Sequence, residues 1–316
     1  MHDALGEGAA LAQALPGFVP RKAQQHLAVA VADAFEQREV LLAEAGTGTG
    51  KTFAYLVPAL LSGMKTIVST GTRALQDQLY FRDLPRVRDA LGTGLKTALL
   101  KGRANYLCRY RLEQTKGDAR FSSRELVAQF QRVVAWSGRT QFGDMAELAS
   151  LPDDSPLLPL VTSTIDNCLG SECPFWDDCF VVQARQRAQA ADVVVVNHHL
   201  LLADLALKQE GFGEILPGAQ VFVVDEAHQL NEIGVLFLGT QLGSRRLQDF
   251  VRELLATTGQ SALGVADWQG LAADLEAATR SVAALVRSLG GPGRWRWDAG
   301  TPQGLNGADW CGAVQG

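Results

Sequence analysis

The nine residues EAGTGTGKT, Glu44 to Thr52, have the types and spacing needed to hold a chain of phosphates. Glycines at Gly46, Gly48 and Gly50 let the backbone turn successive N–H groups inward, and a helix starting at the lysine adds its positive end. Lys51 is placed to reach the β and γ phosphates of a nucleotide such as ATP, and Thr52 to hold Mg²⁺. Ala45, Thr47 and Thr49 complete the loop, with Ala45 standing where the usual pattern opens with glycine. A glycine turn alone says little. The signal is its place between an apolar run, Val40 to Ala43, and a helical stretch from Lys51.

A second constellation, VFVVDEAH from Val221 to His228, ends an apolar run with two acids. At the C-terminal edge of a strand beside a phosphate loop, the first carboxylate can hold the hydration shell of Mg²⁺. The next can orient or deprotonate the attacking water. Asp225 is assigned the first role and Glu226 the second. An Asp-Glu pair closing a strand is commonplace, and it gains meaning from Lys51 upstream.

Cys108 stands alone, and Cys168, Cys173 and Cys179 follow with the spacing C-x₄-C-x₅-C. Four thiolates are a full ligand set for tetrahedral Zn²⁺ or for a 4Fe–4S cluster. Structural zinc favours tighter pairs, which leans the spacing towards iron without deciding it. Cys311 lies outside the pattern and reads as a plain thiol. Around Cys108, KGRANYLCRYRLEQTK interleaves Tyr106 and Tyr110 with Lys101, Arg103, Arg109, Arg111 and Lys116 against one acid, Glu113. Such a run can track phosphates and stack unpaired bases, or it can be an ordinary solvated basic helix. From Thr140 to Phe180 there is no Lys or Arg and eight acids appear, which would repel a phosphate backbone and leave the Cys108 side for nucleic acid. The adjacent His198 and His199 read as consecutive strand residues on opposite faces, unable to share one ion, and are assigned to structure.

Positioning these groups calls for short apolar strands alternating with helices, the pattern of a parallel sheet covered by helices. Two strand, loop and helix units are expected early, from Val40 to Ala43 and from Thr66 to Ser69, the latter leading into a helix at ALQDQLYFRDL. VVVVN from Val193 and VFVVDE from Val221 are β-branched and apolar, as expected of central strands buried on both faces. Between Arg103 and Arg187 the periodicity fails, which predicts an insertion. RRLQDFVRELLATT and GLAADLEAATRSVAALVRSL predict a helical subdomain after Asp225, and the glycine-rich tail from Gly290 is expected to be loop. The 316 residues, 47 % hydrophobic, suffice for substantial cores. No run is long and apolar enough for a membrane span, and MHDALGEGAA lacks the features of a signal peptide, so the expected location is cytoplasmic. Five cysteines without an export signal disfavour a disulfide framework. The net charge of −5 excludes a uniformly basic protein but not a basic groove.

Ala45 to Thr52, the DEAH at 225 to 228 and STGTRALQDQLY at 69 to 80 together resemble superfamily 2 helicases, in which Ala at the loop's first position is the usual form. KGRANYLC, the cysteine group and VVVVNHHLLLAD sharpen this to the XPD/DinG type of iron–sulfur DNA helicase, and within it the YoaA branch. The resemblance implies an α/β fold: a RecA-like motor domain at residues 1–102 and 188–229, an iron–sulfur insertion at 103–187, and the start of a helical arch domain at 230–316. A second motor domain, with its arginine for the transferred phosphoryl group, is not recognisable, so these residues are expected not to unwind DNA alone. With the adenine motif beginning at Arg21, no nuclease is expected ahead of the motor. The resemblance also implies ATP, Mg²⁺ and a 4Fe–4S cluster on Cys108, Cys168, Cys173 and Cys179. By the same token Arg21 and Gln24 recognise adenine, His228 couples nucleotide to motor, and Thr70, Thr72 and Gln78 lie near the DNA strand, with Arg103, Tyr106 and Arg109 as further DNA contacts. The implied activity is ATP-driven 5′ to 3′ movement on single-stranded DNA that unwinds fork or junction DNA, with a replication polymerase accessory subunit as partner. A zinc-stapled, nucleotide-gated DNA-binding protein without unwinding activity is the rival reading.

Overall fold

A computed structural model describes all residues except 119, 120, 122, 210, 212, 213, 239–242, 262, 263, 291, 292, 294, 299 and 316. The chain divides into two compact units, Met1–Leu238 and Gly239–Gly316.

The first unit is an α/β unit. After two short N-terminal helices its elements run α1 (Lys22–Gln37), α2 (Lys51–Ser62), β1 (Thr66–Thr70), α3 (Arg73–Gln78), α4 (Leu84–Leu91), β2 (Thr97–Leu99), α5 (Arg109–Asp118), α6 (Arg124–Ser137), α7 (Phe180–Gln189), β3 (Val193–Asn197), α8 (His198–Gln209), β4 (Val221–Val224) and α9 (Leu230–Leu238). A single π turn, Leu79–Asp83, joins α3 to α4. The strands form a parallel sheet in the order β2-β3-β1-β4, with Thr66 opposite both Val193 and Val221.

Strand β3 explains why the sheet is covered on both faces. Its side chains alternate, so Val193 and Val195 join a core with Ala28, Leu56, Leu60, Val68 and Leu84. Val194 and Val196 join another with Leu107, Phe130, Trp136, Phe180 and Ala184. The cysteine-bearing segment 103–187 is therefore packed into the core on one side of the sheet, and its residues 109–118, 124–137 and 180–189 are helical.

Three sequence expectations change. Val40 to Ala43 is not a strand: among the described residues no ladder partner pairs with it, and Val40 is 98 % and Leu42 91 % exposed. A strand exists only where a neighbour takes its backbone hydrogen bonds, so an apolar run alone does not make one. Strand β4 is the sheet's edge and not its centre, leaving Phe222 half-exposed. His198 and His199 open helix α8 instead of ending a strand; His198 turns into the core and His199 outward, against Phe237.

The second unit holds α10 (Ser244–Ser261) and α11 (Trp268–Ser288), which pack on each other as the apolar spacing predicts. The tail is more ordered than expected. It forms a minimal hairpin at Trp297–Asp298 and Thr301–Pro302, then helix α12 (Gly307–Gln315), with Trp297 edge-on to Trp310. No described helix is long and apolar enough to cross a membrane.

Candidate nucleotide site and cysteine insertion

Gly50 sets the geometry of the phosphate loop. It caps α2 with φ 83° and ψ 31°, a left-handed conformation that glycine adopts without a Cβ penalty. Gly48, with φ 77°, does the same two residues earlier. A side chain at Gly50 would also collide with the Gln24 amide, because a Cβ there would lie 2.1 Å from Gln24 Nε2. Lys51 begins the helix and folds back on the exposed loop, donating to the Ala45 carbonyl at 2.9 Å. Thr49 Oγ1 similarly donates to the Gly46 carbonyl. The loop's N–H groups and the helix end are thus left to an anion.

The acid pair meets this loop. Lys51 Nζ lies 3.8 Å from Glu226 Oε1, and the Tyr55 hydroxyl, one turn further along α2, donates to Asp225 Oδ2 at 3.3 Å. Asp225 continues the β1 pairing by donating its N–H to the Ser69 carbonyl. Burial, then the neighbouring Glu226 charge, hold the Asp225 carboxyl above its ordinary range, with Lys51 pulling the other way. A carboxylate so placed is short of positive charge, which suits a divalent cation. Glu226 has a left-handed backbone, φ 56°, that turns the chain sharply after Asp225. His228 is mostly exposed, with Nδ1 3.5 Å from Glu226 Oε2.

The residues assigned to adenine separate in character. Gln24 is 3 % exposed and donates Nε2 to the Gly50 carbonyl at 3.0 Å, while its Oε1 is buried without a partner. Arg21 is exposed at the start of α1. Both line a cleft of about 500 Å³ with Phe18, Gly50, Phe53 and Arg86. Phe18 stacks on Phe53 with ring centres 6.1 Å apart. Tyr55, Phe18 and Arg86 were not singled out by sequence reasoning. Tyr55 could have been, since it follows Lys51 by one helical turn on the same face; Arg86 carries no local signal.

His198 lies behind the acid pair. It is fully buried, with Nδ1 2.7 Å from the Ser69 hydroxyl. Burial lowers its pKa, with the backbone of Asp225 and Glu226 pulling the other way.

In the insertion, Cys108 directly precedes α5 and Cys179 caps α7, both at positive helix ends that favour thiolate. Burial pushes the Cys108 thiol up; the Arg111 and Tyr110 N–H groups oppose this, and the charges of Cys179 and Cys173 add to it, so the three lie within electrostatic reach of one another. Cys168 is exposed, and with Cys179 it lies within electrostatic reach of Arg185. Among the described residues no three of His, Cys, Asp or Glu stand close enough to hold a single metal ion.

The basic run around Cys108 is only partly a surface. Lys101 is 3 % exposed and ion-paired at 2.7 Å to both Asp77 and Asp144, so it cannot track phosphates. Tyr106, expected from the sequence to stack on bases, is also buried. Its hydroxyl accepts the Lys101 N–H, and desolvation pushes the phenol up to about 12. Thr70 ends an internal strand at 1 % exposure. Thr72 and Gln78 are exposed, Thr72 capping α3 and Gln78 donating to Asp83. Arg109 is tied across the insertion, donating Nε to the Asp178 carbonyl with its guanidinium 4.5 Å over the Phe180 ring. Arg103 is half-exposed.

Residues 22–135 match the DEAD/DEAH box helicase family. The chain is 51 % identical over 254 residues to the ATP-dependent DNA helicase YoaA of Escherichia coli, covering 80 % of this chain and 40 % of that protein. It is 49 % identical to YoaA of Haemophilus influenzae, covering 77 % of this chain and 38 % of that one. It is 40 % identical to the ATP-dependent helicase DinG of Mycobacterium tuberculosis, covering 70 % and 36 %. The chain thus spans about two fifths of the length of these curated relatives.

Proposed function

Because the chain belongs with the DinG/XPD-type helicases and carries a DEAD/DEAH helicase domain, we propose that it is the nucleotide-binding part of an ATP-dependent DNA helicase. The observation that supports this most is the meeting of Lys51, Tyr55, Asp225 and Glu226 at the C-terminal ends of the strands. In this reading the loop N–H groups cradle the phosphates, and Lys51 leaves the Ala45 carbonyl to reach the β and γ oxygens. Thr52 and Asp225 hold Mg²⁺, which neutralises charge on those oxygens when bound. Glu226 orients the attacking water, and His228, on the exposed side of Glu226, relays the nucleotide state. Gln24 offers its unpaired Oε1, and Arg21 its guanidinium, to adenine in the 500 Å³ cleft.

Cys108, Cys168, Cys173 and Cys179 are proposed to hold a 4Fe–4S cluster. Cys108 and Cys179 stand at positive helix ends and share electrostatic reach with Cys173, with Arg185 near Cys168 and Cys179, and such surroundings offset the charge of an all-thiolate group. The proposed substrates are single-stranded DNA and fork or junction DNA, the partner a replication polymerase accessory subunit, and the compartment the cytoplasm, with residues 230–316 opening an arch domain.

The test is ATP hydrolysis by the polypeptide carrying these residues. Turnover is expected to require Mg²⁺ and to rise with single-stranded DNA, and activity indifferent to DNA would overturn the motor reading. Arg103→Glu is expected to weaken single-stranded DNA binding and to lower its salt slope by about 0.7 for each phosphate that is no longer neutralised. An unchanged slope would place the DNA elsewhere.

A further inference from the structure

Lys101 carries a buried charge that the nucleotide chemistry does not use. Its Nζ lies 2.7 Å from Asp77 Oδ1 on α3 and 2.7 Å from Asp144 Oδ2 in the cysteine-bearing segment. Among the described residues Asp77 Oδ1 has no hydrogen bond of ordinary geometry, so the ion pair is what ties it. Burying ions is a poor route to stability, because apolar residues of similar volume commonly serve as well or better. What a buried ion pair can supply is register, since both acids must approach the same atom.

The pair sits in a seam. Residues 100–105 are held along α3 by Gln76, which donates Nε2 to the Leu100 carbonyl at 2.9 Å, and by Arg73, which donates Nη1 to Asn105 Oδ1 at 3.1 Å. Between those two contacts lies Lys101–Asp77, the charged one of the three. The half-exposed Arg103 stands on the stretch so held. At its other end α3 follows directly on β1, and two contacts join that junction to the acid pair. The Ser69 carbonyl accepts the Asp225 N–H at 2.8 Å, and Gly71 is so close to Gln229 that a Cβ on it would collide with the Gln229 amide. One short helix therefore links Arg103 to the acid pair.

We propose that Lys101 is a positioning residue that couples single-stranded DNA at Arg103 to nucleotide at the acid pair, by holding the stretch that carries Arg103 in register with α3. This deepens the proposed function and rests on its reading of Arg103 and Asp225. Coupling between two ligands of this kind typically changes affinity by about 5- to 150-fold.

The experiment measures single-stranded DNA affinity with and without a non-hydrolysable Mg-ATP analogue, for the wild type, Asp77→Ala and Asp144→Asn. Lys101→Met is the obvious variant, but it leaves two acids without their cation. Asp77→Ala keeps Lys101 paired with Asp144, and alanine suits a helix. Asp144→Asn is the control: it leaves the Lys101–Asp77 pair and preserves the cap that Asp144 Oδ1 gives the Ala146 N–H. The analogue is expected to change DNA affinity by about fivefold or more in the wild type and in Asp144→Asn, and by less than about twofold in Asp77→Ala. Each ligand alone should bind within about twofold of the wild type throughout, and DNA should change analogue affinity by the same factor that the analogue changes DNA affinity. Should Asp77→Ala fold poorly, Asp77→Asn removes the charge while keeping the shape, and the same loss of coupling is expected. Coupling retained in a folded Asp77 variant would overturn the proposal. So would equal loss in Asp144→Asn, which is the mark of general loosening, or a wild type that binds both ligands without mutual influence. A wild type that binds neither ligand would instead remove the proposed function.

Discussion

Lys51→Ala is expected to weaken Mg-ATP binding by two to three orders of magnitude and to abolish hydrolysis. The size follows from electrostatics. Opposite unit charges about 4 Å apart attract by about 4 kcal/mol at an effective dielectric of about 20, and about 1.4 kcal/mol corresponds to a tenfold change in affinity. The desolvation of lysine in the bound state offsets part of this, which brings the expectation to about 10²- to 10³-fold. The surroundings add a second effect. Lys51 Nζ lies 3.8 Å from Glu226 Oε1, and it counters the burial that raises the Asp225 carboxyl. Without it, two acids face each other with less compensation and the Asp225 carboxyl rises further, so Mg²⁺ must compete with a proton over a wider pH range. Lys51 is partly exposed and donates only to its own loop, so the melting temperature should hardly move. Calorimetric titration with Mg-ATP checks the result, with Lys51→Arg as a variant that keeps charge but not shape. Wild-type affinity in the alanine variant would end the phosphate-loop assignment.

Cys173→Ser is expected to remove the iron, the sulfide and the visible absorption of the protein together, and Cys168→Ser to do the same. A hydroxyl is a poor replacement for thiolate, and losing one of four ligands opens the cluster to solvent and oxygen. The structural cost should stay local. The insertion shares its core with one face of the sheet through Leu107, Phe130, Trp136 and Phe180, and these apolar contacts do not depend on sulfur. Nucleotide binding should therefore survive, while proteolysis of residues 103–187 in the folded protein becomes faster. Cys311→Ser is the control: this exposed thiol belongs to the other compact unit, and its loss should leave iron content untouched. Colour and iron persisting in both Cys173→Ser and Cys168→Ser would refute the ligand set. Zinc in place of iron after anaerobic purification would favour the zinc-stapled alternative.

The phosphate loop could be read from the sequence because its requirements are local. Gly50 must be left-handed where the helix begins, Lys51 must follow it, and both demands are met within nine residues. The acid pair was legible for the same reason, as were β3 and the helices α10 and α11, whose periodicity is carried by the residues themselves. What the sequence could not supply was every property that belongs to a neighbour. Val40 to Ala43 has the residues of a strand but no partner for its backbone, and β4 has the residues of a central strand but lies at an edge. Lys101 and Tyr106 stand in a run that reads as a basic surface; Asp77 and Asp144, 24 residues before and 43 after Lys101, turn it into a buried ion pair. Likewise His198 reads as one of two adjacent histidines until Ser69 is brought against it. Backbone conformation and cofactor chemistry are set over a few residues, whereas burial, pairing and the orientation of a polar side chain depend on contacts far apart in the chain, and only the folded structure decides them.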